Sequence, residues 1–494
     1  AEGLVIVFSY NFFFFIILYL LIWVFLSFFL EIKLKSLSGA MLWSFWLVLL
    51  PPILDMLKTG GSVFWSFYAL NGLSELWGQF ITLFGYLPSG IVYYGTKIIF
   101  VATIVIAGGF IFLRTKSLFR AIIGSLAIYI IIFFMGSFPS WVTFLFYLIE
   151  GSKEISAVSS LDIVQFMASA YPIFGANGYN IKYAFTANLN TIYFLVLIFV
   201  LGGMFFLSNR QGALAVFKNA RFPQLMYHAG LFLGGMGLGY LAYPGNLHLN
   251  LFSILAVCIL LISVFLAWKA SVFFNDIYDI NIDDITNAGR PLPKNIFSAN
   301  QYLDLGIIFF ILSLIGGMVV SVKFSLLLFM YQVLAWFYSA PPYRLKRFPV
   351  IATLFSSLAS ILVLIMGFNL FSGEDNLALF PWRILGLLVV ALTLSLPIKD
   401  FKDIEGDKKD GILTIPVIFG ESMARTIVAS GIFISFMLSV FILNETKLFW
   451  AALFFGGLAF LVMTNKKIKP RQLIWWVLGV LILYTAVLLK ILFF

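Results

Sequence analysis

Between residues 250 and 273 the chain carries one charged side chain, Lys269, in an apolar run about as long as the 20 or so helical residues that cross a bilayer's hydrocarbon. No water in hydrocarbon can satisfy a backbone N–H or C=O, so a continuous run of this kind folds as a helix that satisfies its own backbone. Similar runs recur along the whole sequence, and 62% of the 494 residues are hydrophobic against 11% charged. The fold class this predicts is an all-α polytopic membrane protein. The first run, residues 4 to 30, is too long for the core of a signal peptide and reads as a spanning helix.

The runs fall into two blocks. Helices are expected near 4 to 30, 40 to 57, 91 to 113, 119 to 136 and 191 to 207, with aromatic, Gly/Pro/Ser-broken stretches at 60 to 88 and 137 to 150 that suit interfacial or re-entrant segments. Residues 151 to 190 form the longest polar interval and carry no recognisable chemistry. The second block has nine candidates: 225 to 243, 250 to 273, 302 to 321, 324 to 339, 350 to 371, 380 to 398, 425 to 443, 448 to 463 and 472 to 493. The sum is about fourteen spans, divided between an extension at 1–214 and a domain at 215–494.

Charge orients them. Arg210, Lys218 and Arg221 precede the first helix of the second block, and Arg290 and Lys294, then Arg344, Lys346 and Arg347, then Lys399, Lys402, Lys408 and Lys409, follow every second helix. Basic loops mark the cytoplasmic side, which puts both chain ends outside. The net charge of +10 is therefore a topology signal, and no nucleic-acid partner is expected. One cysteine, Cys258, and two histidines exclude a disulfide framework, a zinc site and a haem ligand set.

Chemistry concentrates in two stretches. "FFNDIYDINIDDITNAGRPLP" (273–293) and "KDFKDIEGDKKDG" (399–411) share one spacing, Asp276, Asp279 and Asp283 against Asp400, Asp403 and Asp407. Offsets of three, four and seven place each trio on one helical face. Strips of carboxylate in a poorly hydrated setting repel one another and call for a divalent cation. All-oxygen ligation favours a hard ion, Mg²⁺ over Zn²⁺, held with substrate phosphate, and Asn275 adds a neutral oxygen. In "YSAPPYRLKR" (338–347), Arg344, Lys346 and Arg347 crowd a proline turn on the same side, suited to grip a diphosphate or simply to mark topology. Lys269 lies seven residues before Asp276, within reach of a phosphate or, by snorkelling, of the interface.

Taken in order, NDxxDxxxD, YSxPPxRLKR and DxxDIEGDxxxGxxTxPxxxG resemble the UbiA-type intramembrane prenyltransferases over about residues 215 to 494, with motif forms most similar to the chlorophyll synthase, homogentisate prenyltransferase and digeranylgeranylglyceryl phosphate synthase members. The first 200 or so residues have no counterpart in that family. The resemblance implies a nine-helix bundle that ionises a polyprenyl diphosphate donor and passes the prenyl group to a lipophilic acceptor, an aromatic or quinone precursor or a prenylglyceryl phosphate lipid. It implies one Mg²⁺ on Asn275, Asp279 and Asp283 and a second on Asp403 and Asp407, with Asp276 and Asp400 as helpers. Lys346, Arg347, Arg344 and Arg290 would face the diphosphate, and Tyr278 and Tyr338 are the aromatic rings nearest by sequence. A prokaryotic inner membrane with the site loops cytoplasmic is the expected location. The competing reading is a transporter or channel with an intramembrane cation site, which would want its acids in mid-span rather than at span ends beside Lys and Arg.

Overall fold

A computed structural model describes residues 2–59, 68–85, 94–169, 181–247, 249–280, 283–284, 287–372, 380–409 and 411–493. Among these there is helix and no strand, and twelve helices are long and apolar enough to cross a membrane. The chain forms two compact units, one up to Arg210 and one from Gln211 onward.

The first unit contains α1 (Glu2–Phe29), α2 (Leu34–Ser44), α3 (Leu50–Thr59), α4 (Leu73–Ile81), α5 (Tyr94–Thr115), α6 (Leu118–Gly136), α7 (Phe138–Glu150), α8 (Ser160–Met167) and α9 (Ile181–Ser208). Helices α1 and α9 pack together around Phe13, Phe14 and Tyr193, and Asn190 Nδ2 donates to the carbonyl of Ile6 at 3.0 Å across that contact. Four members of this unit qualify as spans where five were expected. The expected helix at 40 to 57 is broken instead into α2, a 3₁₀ turn at Phe45–Leu49 and α3. Pro51 and Pro52 lack the N–H groups a continuous α-helix would use, so the chain tightens ahead of them and restarts. The interval 137 to 150 is the 13-residue helix α7, too short to span. The stretch 60 to 88 contributes α4, with Leu76 buried and Trp77 exposed; residues 60–67 and 86–93 lie outside the described residues.

The second unit opens with α10 (Arg210–Lys218), and among its described residues nine helices stand where nine spans were expected: α11 (Phe222–Ala242), α12 (Leu251–Tyr278), α13 (Ala299–Val320), α14 (Val322–Ser339), α15 (Pro349–Phe368), α16 (Trp382–Ser395), α18 (Ile415–Ile442), α19 (Phe449–Thr464) and α20 (Pro470–Phe493). Eight of them are long and apolar enough to span; α11, with His228 and five glycines in it, is not among those. A short helix, α17 (Ile404–Lys409), precedes α18, which kinks at Gly420, whose φ of 72° a side chain would resist. Successive helices pack as neighbours, and α11 closes against α15. That last contact is a backbone-to-backbone approach. A Cβ on Gly235 would meet the carbonyl oxygen of Leu364, one on Gly239 would lie 2.7 Å from that of Phe368, and one on Gly367 would meet that of Phe232. Small residues let helices approach in this way where lipid offers no hydrophobic drive to association.

Helices α12, α14 and α16, the second, fourth and sixth of the bundle, end at one place, and the three polar stretches follow from those ends. Gly235→Ala is expected to destabilise the protein by about 1–3 kcal/mol through overpacking, lowering its melting temperature in detergent. Gly234→Ala, where a Cβ meets nothing within 4 Å, should leave it unchanged, so equal effects would refute the close α11–α15 packing.

Candidate active site

The two acidic stretches repeat each other in backbone as well as in sequence. Helix α12 stops at Tyr278, and Asp279 takes φ −108°, ψ 14°. The 3₁₀ helix Leu396–Lys402 stops just before Asp403, which takes φ −115°, ψ 13°. Beyond each middle aspartate the chain turns once more, with the N–H of Asp283 donating to the carbonyl of Asp279 and that of Asp407 to the carbonyl of Asp403, both at 2.9 Å. The expectation of one unbroken helical face is thus corrected: each trio straddles a helix end, with its middle aspartate at the bend. In the second stretch Pro397 sits in the first turn of the 3₁₀ helix, whose spacing brings residues three apart into line.

Cations fill the first stretch. Asp279 receives Lys346 Nζ, Arg344 Nη2 at 3.2 Å and Asn275 Nδ2 at 2.8 Å. Lys346 lies in the 3₁₀ turn Leu345–Arg347 and is only 5% exposed; burial lowers its pKa, against the pull of Asp279. The other oxygen partner on this side is Asn275 Oδ1, which accepts from Ser339 Oγ at 3.0 Å and faces Lys346 Nζ at 3.5 Å. Arg290 pairs with both oxygens of Asp283 and reaches Asp276 at 3.2 Å. Burial pushes the Asp283 carboxyl up to about 6 even with Arg290 opposing it.

The second stretch is short of cations. Asp403 has Lys402 at 3.8 Å and the amide of Asn287 at 3.4 Å. Asp407 is buried, and burial together with Asp400 and Asp403 pushes its carboxyl up to about 8. Lys346 and Asp279 also act on Asp407, so its field is shared with the first stretch. Asn287 joins the two directly, its Nδ2 lying 3.2 Å from Asp283 Oδ1 and 3.4 Å from Asp403 Oδ1. An all-oxygen donor set with an under-neutralised carboxylate among its members fits a hard divalent ion. Among the described residues no three acidic, His or Cys side chains converge on one point; Lys346 and Arg344 pair with Asp279, and Arg290 with Asp283.

The UbiA prenyltransferase family profile matches residues 230–478, half of the chain. The chain belongs to this family. Digeranylgeranylglyceryl phosphate synthase of Methanosphaera stadtmanae is 33% identical over 162 residues, 33% of this chain and 57% of that protein. The chloroplastic 2-acyl-4-prenylphloroglucinol 6-prenyltransferase of Humulus lupulus is 34% identical over 175 residues, 32% of this chain and 40% of that protein. The chain therefore spans about half the length of these two relatives. A solved UbiA homolog from Archaeoglobus fulgidus bound to GPP and Mg²⁺ has a TM-score of 0.45 at 20% identity, covering 55% of this chain and 97% of that one.

In this UbiA-family protein several expected site residues meet and others do not. Asn275, Asp279, Asp283, Arg290, Arg344 and Lys346 form one network, linked to Asp403 through Asn287. Asp276, expected to help hold metal, has both oxygens occupied: Arg221 and Arg290 on Oδ1, Asn219 and Tyr302 at 3.3 Å on Oδ2. It anchors α12 to the residues before α11. Lys269 donates to the carbonyls of Asn219 at 2.8 Å and Val216 at 3.4 Å, so it caps the end of α10. Arg347 is exposed beside the buried Lys346. Tyr338 accepts from Lys399 Nζ at 3.0 Å, and the carbonyl of Tyr278 accepts from Arg344 at 3.1 Å. Residues not anticipated are Asn287, Arg221, Asn219 and Tyr302. Asn287 had a signal, since 275, 279, 283 and 287 continue one four-residue spacing.

A carboxyl raised in the folded state holds a proton that the unfolded chain has released, so its stabilisation is complete below the ordinary aspartate value of 3.8 and is lost as pH rises through about 8. Metal-free protein should therefore melt at progressively lower temperature between about pH 5 and about pH 9, and Asp407→Asn should flatten that slope. An unchanged slope in the variant would show that Asp407 is not the group responsible.

Proposed function

We propose that the protein is a divalent-metal-dependent prenyltransferase that ionises a polyprenyl diphosphate and transfers the prenyl group to a lipophilic acceptor. The observation carrying this reading is the pair of acidic turns of matching backbone, bridged by Asn287 and faced by the buried Lys346. Asn275, Asp279 and Asp283 would hold one ion, and Asp403 and Asp407 a second, with Asp400 behind them. Mg²⁺, when bound, would supply neutralisation of the charge that grows on the departing diphosphate.

The protein's own groups do the remainder. Lys346 and Arg344, which pair with Asp279, would be the groups to hold the charge of a bound diphosphate in a water-poor setting. As the bond from the allylic carbon to the diphosphate oxygen breaks, the electron pair leaves with the diphosphate. The carbon then bonds to a nucleophilic atom of the acceptor, which gives up a proton. Apolar helices around the site keep water from capturing the carbon first. We infer that this end of the bundle faces the cytoplasm, a reading that the basic loops support through the positive-inside rule. The relatives' names span a glyceryl phosphate and a phloroglucinol, so they support transfer without choosing an acceptor.

Asp279→Ala and Asp403→Ala should each lower turnover of geranylgeranyl diphosphate by about 10²-fold or more while the protein elutes and inserts as before. Near-normal turnover in either, measured by diphosphate release in the presence of Mg²⁺, would refute the assignment.

A further inference from the structure

A cavity of about 760 Å³ opens in the second unit between the end of α10, the loop 287–296, the 3₁₀ helix Leu396–Lys402 and the start of α20. Its lining contains seven lysines and arginines and no acidic side chain. Three of them, Lys218, Lys294 and Arg471, are exposed and have no ion-pair partner among the described residues. Arg221 pairs with Asp276, yet its Nε is buried with no hydrogen-bond partner. A buried donor of that kind costs free energy until something accepts from it. Charges that only mark topology scatter over loops, whereas four elements distant in sequence bring these to one concavity.

What surrounds the charges favours a lipid over a free ion. Leu214 and Trp475 line the cavity and keep large apolar surfaces exposed, and Ile474 lies beside them. Helix α20 starts at Pro470, so Arg471 and Trp475 occupy its first turns, where a helix that crosses a bilayer meets the headgroups. Basic pockets between membrane helices on their positively charged side take anionic lipid headgroups.

The cavity and the acidic turns share side chains. Arg290 lines the cavity and pairs with both oxygens of Asp283, and Lys402 lines it and lies 3.8 Å from Asp403. For Asp283 to take a metal, Arg290 has to release at least one of those oxygens, and a released, largely buried guanidinium needs another anion. A phosphate in the cavity supplies one. We propose that the cavity holds the headgroup phosphate of an anionic bilayer phospholipid, which is not consumed, and that this phosphate draws Arg290 away from Asp283 and so opens the first acidic turn to metal. Lipid and metal then bind cooperatively, each tightening the other by the same factor. The lipid seat stands on the cavity alone; the coupling rests on the metal site of the prenyltransferase reading.

The test uses the full chain in nanodiscs of phosphatidylcholine with and without phosphatidylglycerol, reading Mn²⁺ affinity by electron paramagnetic resonance and lipid retention by native mass spectrometry. The wild type should retain phosphatidylglycerol in preference to phosphatidylcholine, and phosphatidylglycerol should tighten Mn²⁺ binding by about fivefold or more. The double variant Lys294→Gln, Arg471→Gln removes two exposed cations without stranding a buried partner. It should elute as the wild type does and lose both the lipid preference and most of the Mn²⁺ gain. An anionic nanodisc surface attracts Mn²⁺ equally around either protein, so an equal gain in the variant assigns the effect to the bilayer and overturns the coupling. No lipid preference in the wild type overturns the seat itself. If inorganic phosphate tightens Mn²⁺ as much in phosphatidylcholine alone, the cavity takes a free anion and the lipid assignment fails. A wild type that retains phosphatidylglycerol and binds no Mn²⁺ refutes the metal reading of the acidic turns, and the coupling with it, while the lipid seat stands.

Discussion

Asp276, Asp279 and Asp283 are buried at the end of an apolar helix, where an unpaired carboxylate costs several kcal/mol after relaxation. Much of the architecture at this end of the bundle answers that cost. Arg221 from before α11, Arg290 from beyond α12, and Arg344 and Lys346 from the turn after α14 converge on the three acids, so helices far apart in sequence are joined through charge. Removing either partner of such a pair leaves a buried charge exposed to its own desolvation penalty, which makes the arrangement hard to reach by accident. The second stretch lacks this compensation, and Asp407 holds its proton to about pH 8 in consequence. The two stretches thus differ in kind: the first is paired to cations at each of its three acids, and the second is not.

The bundle itself was legible from apolar run length. The run at 250 to 273 is α12, Leu251–Tyr278, and the run at 324 to 339 is α14, Val322–Ser339, because hydrocarbon thickness sets a length that the sequence must meet. The break near Pro51 is written in the sequence too: hydropathy alone predicts a helix through 40 to 57, while two successive prolines favour a helix start at Leu50. At the site, residue type and spacing identified the acids but not their conformation. Asp279 and Asp403 sit at bends, which the even three-and-four spacing conceals.

What sequence could not supply was direction. Lys346 and Arg347 are neighbours of like charge, yet one is buried against Asp279 and the other exposed, since a single 3₁₀ turn points them apart. Arg221 reads as a topology charge and is in fact the partner of Asp276, 55 residues later in the chain, a pairing no local pattern encodes. Lys269 reads as a phosphate ligand or a snorkelling cation and closes the end of α10. Each case turns on which of several polar groups a long cationic side chain meets in the packed bundle.

The most direct measurement is the anomalous-scattering map of crystals grown with Mn²⁺ and a thiolo analogue of geranylgeranyl diphosphate that cannot ionise. Two Mn²⁺ peaks should lie at the acidic turns, one beside Asn275, Asp279 and Asp283 and one beside Asp403 and Asp407, with Lys346 moved from Asp279 onto the diphosphate. Ions found elsewhere, with the Lys346–Asp279 pair intact and the diphosphate outside the turns, would contradict the two stretches forming one metal and diphosphate site.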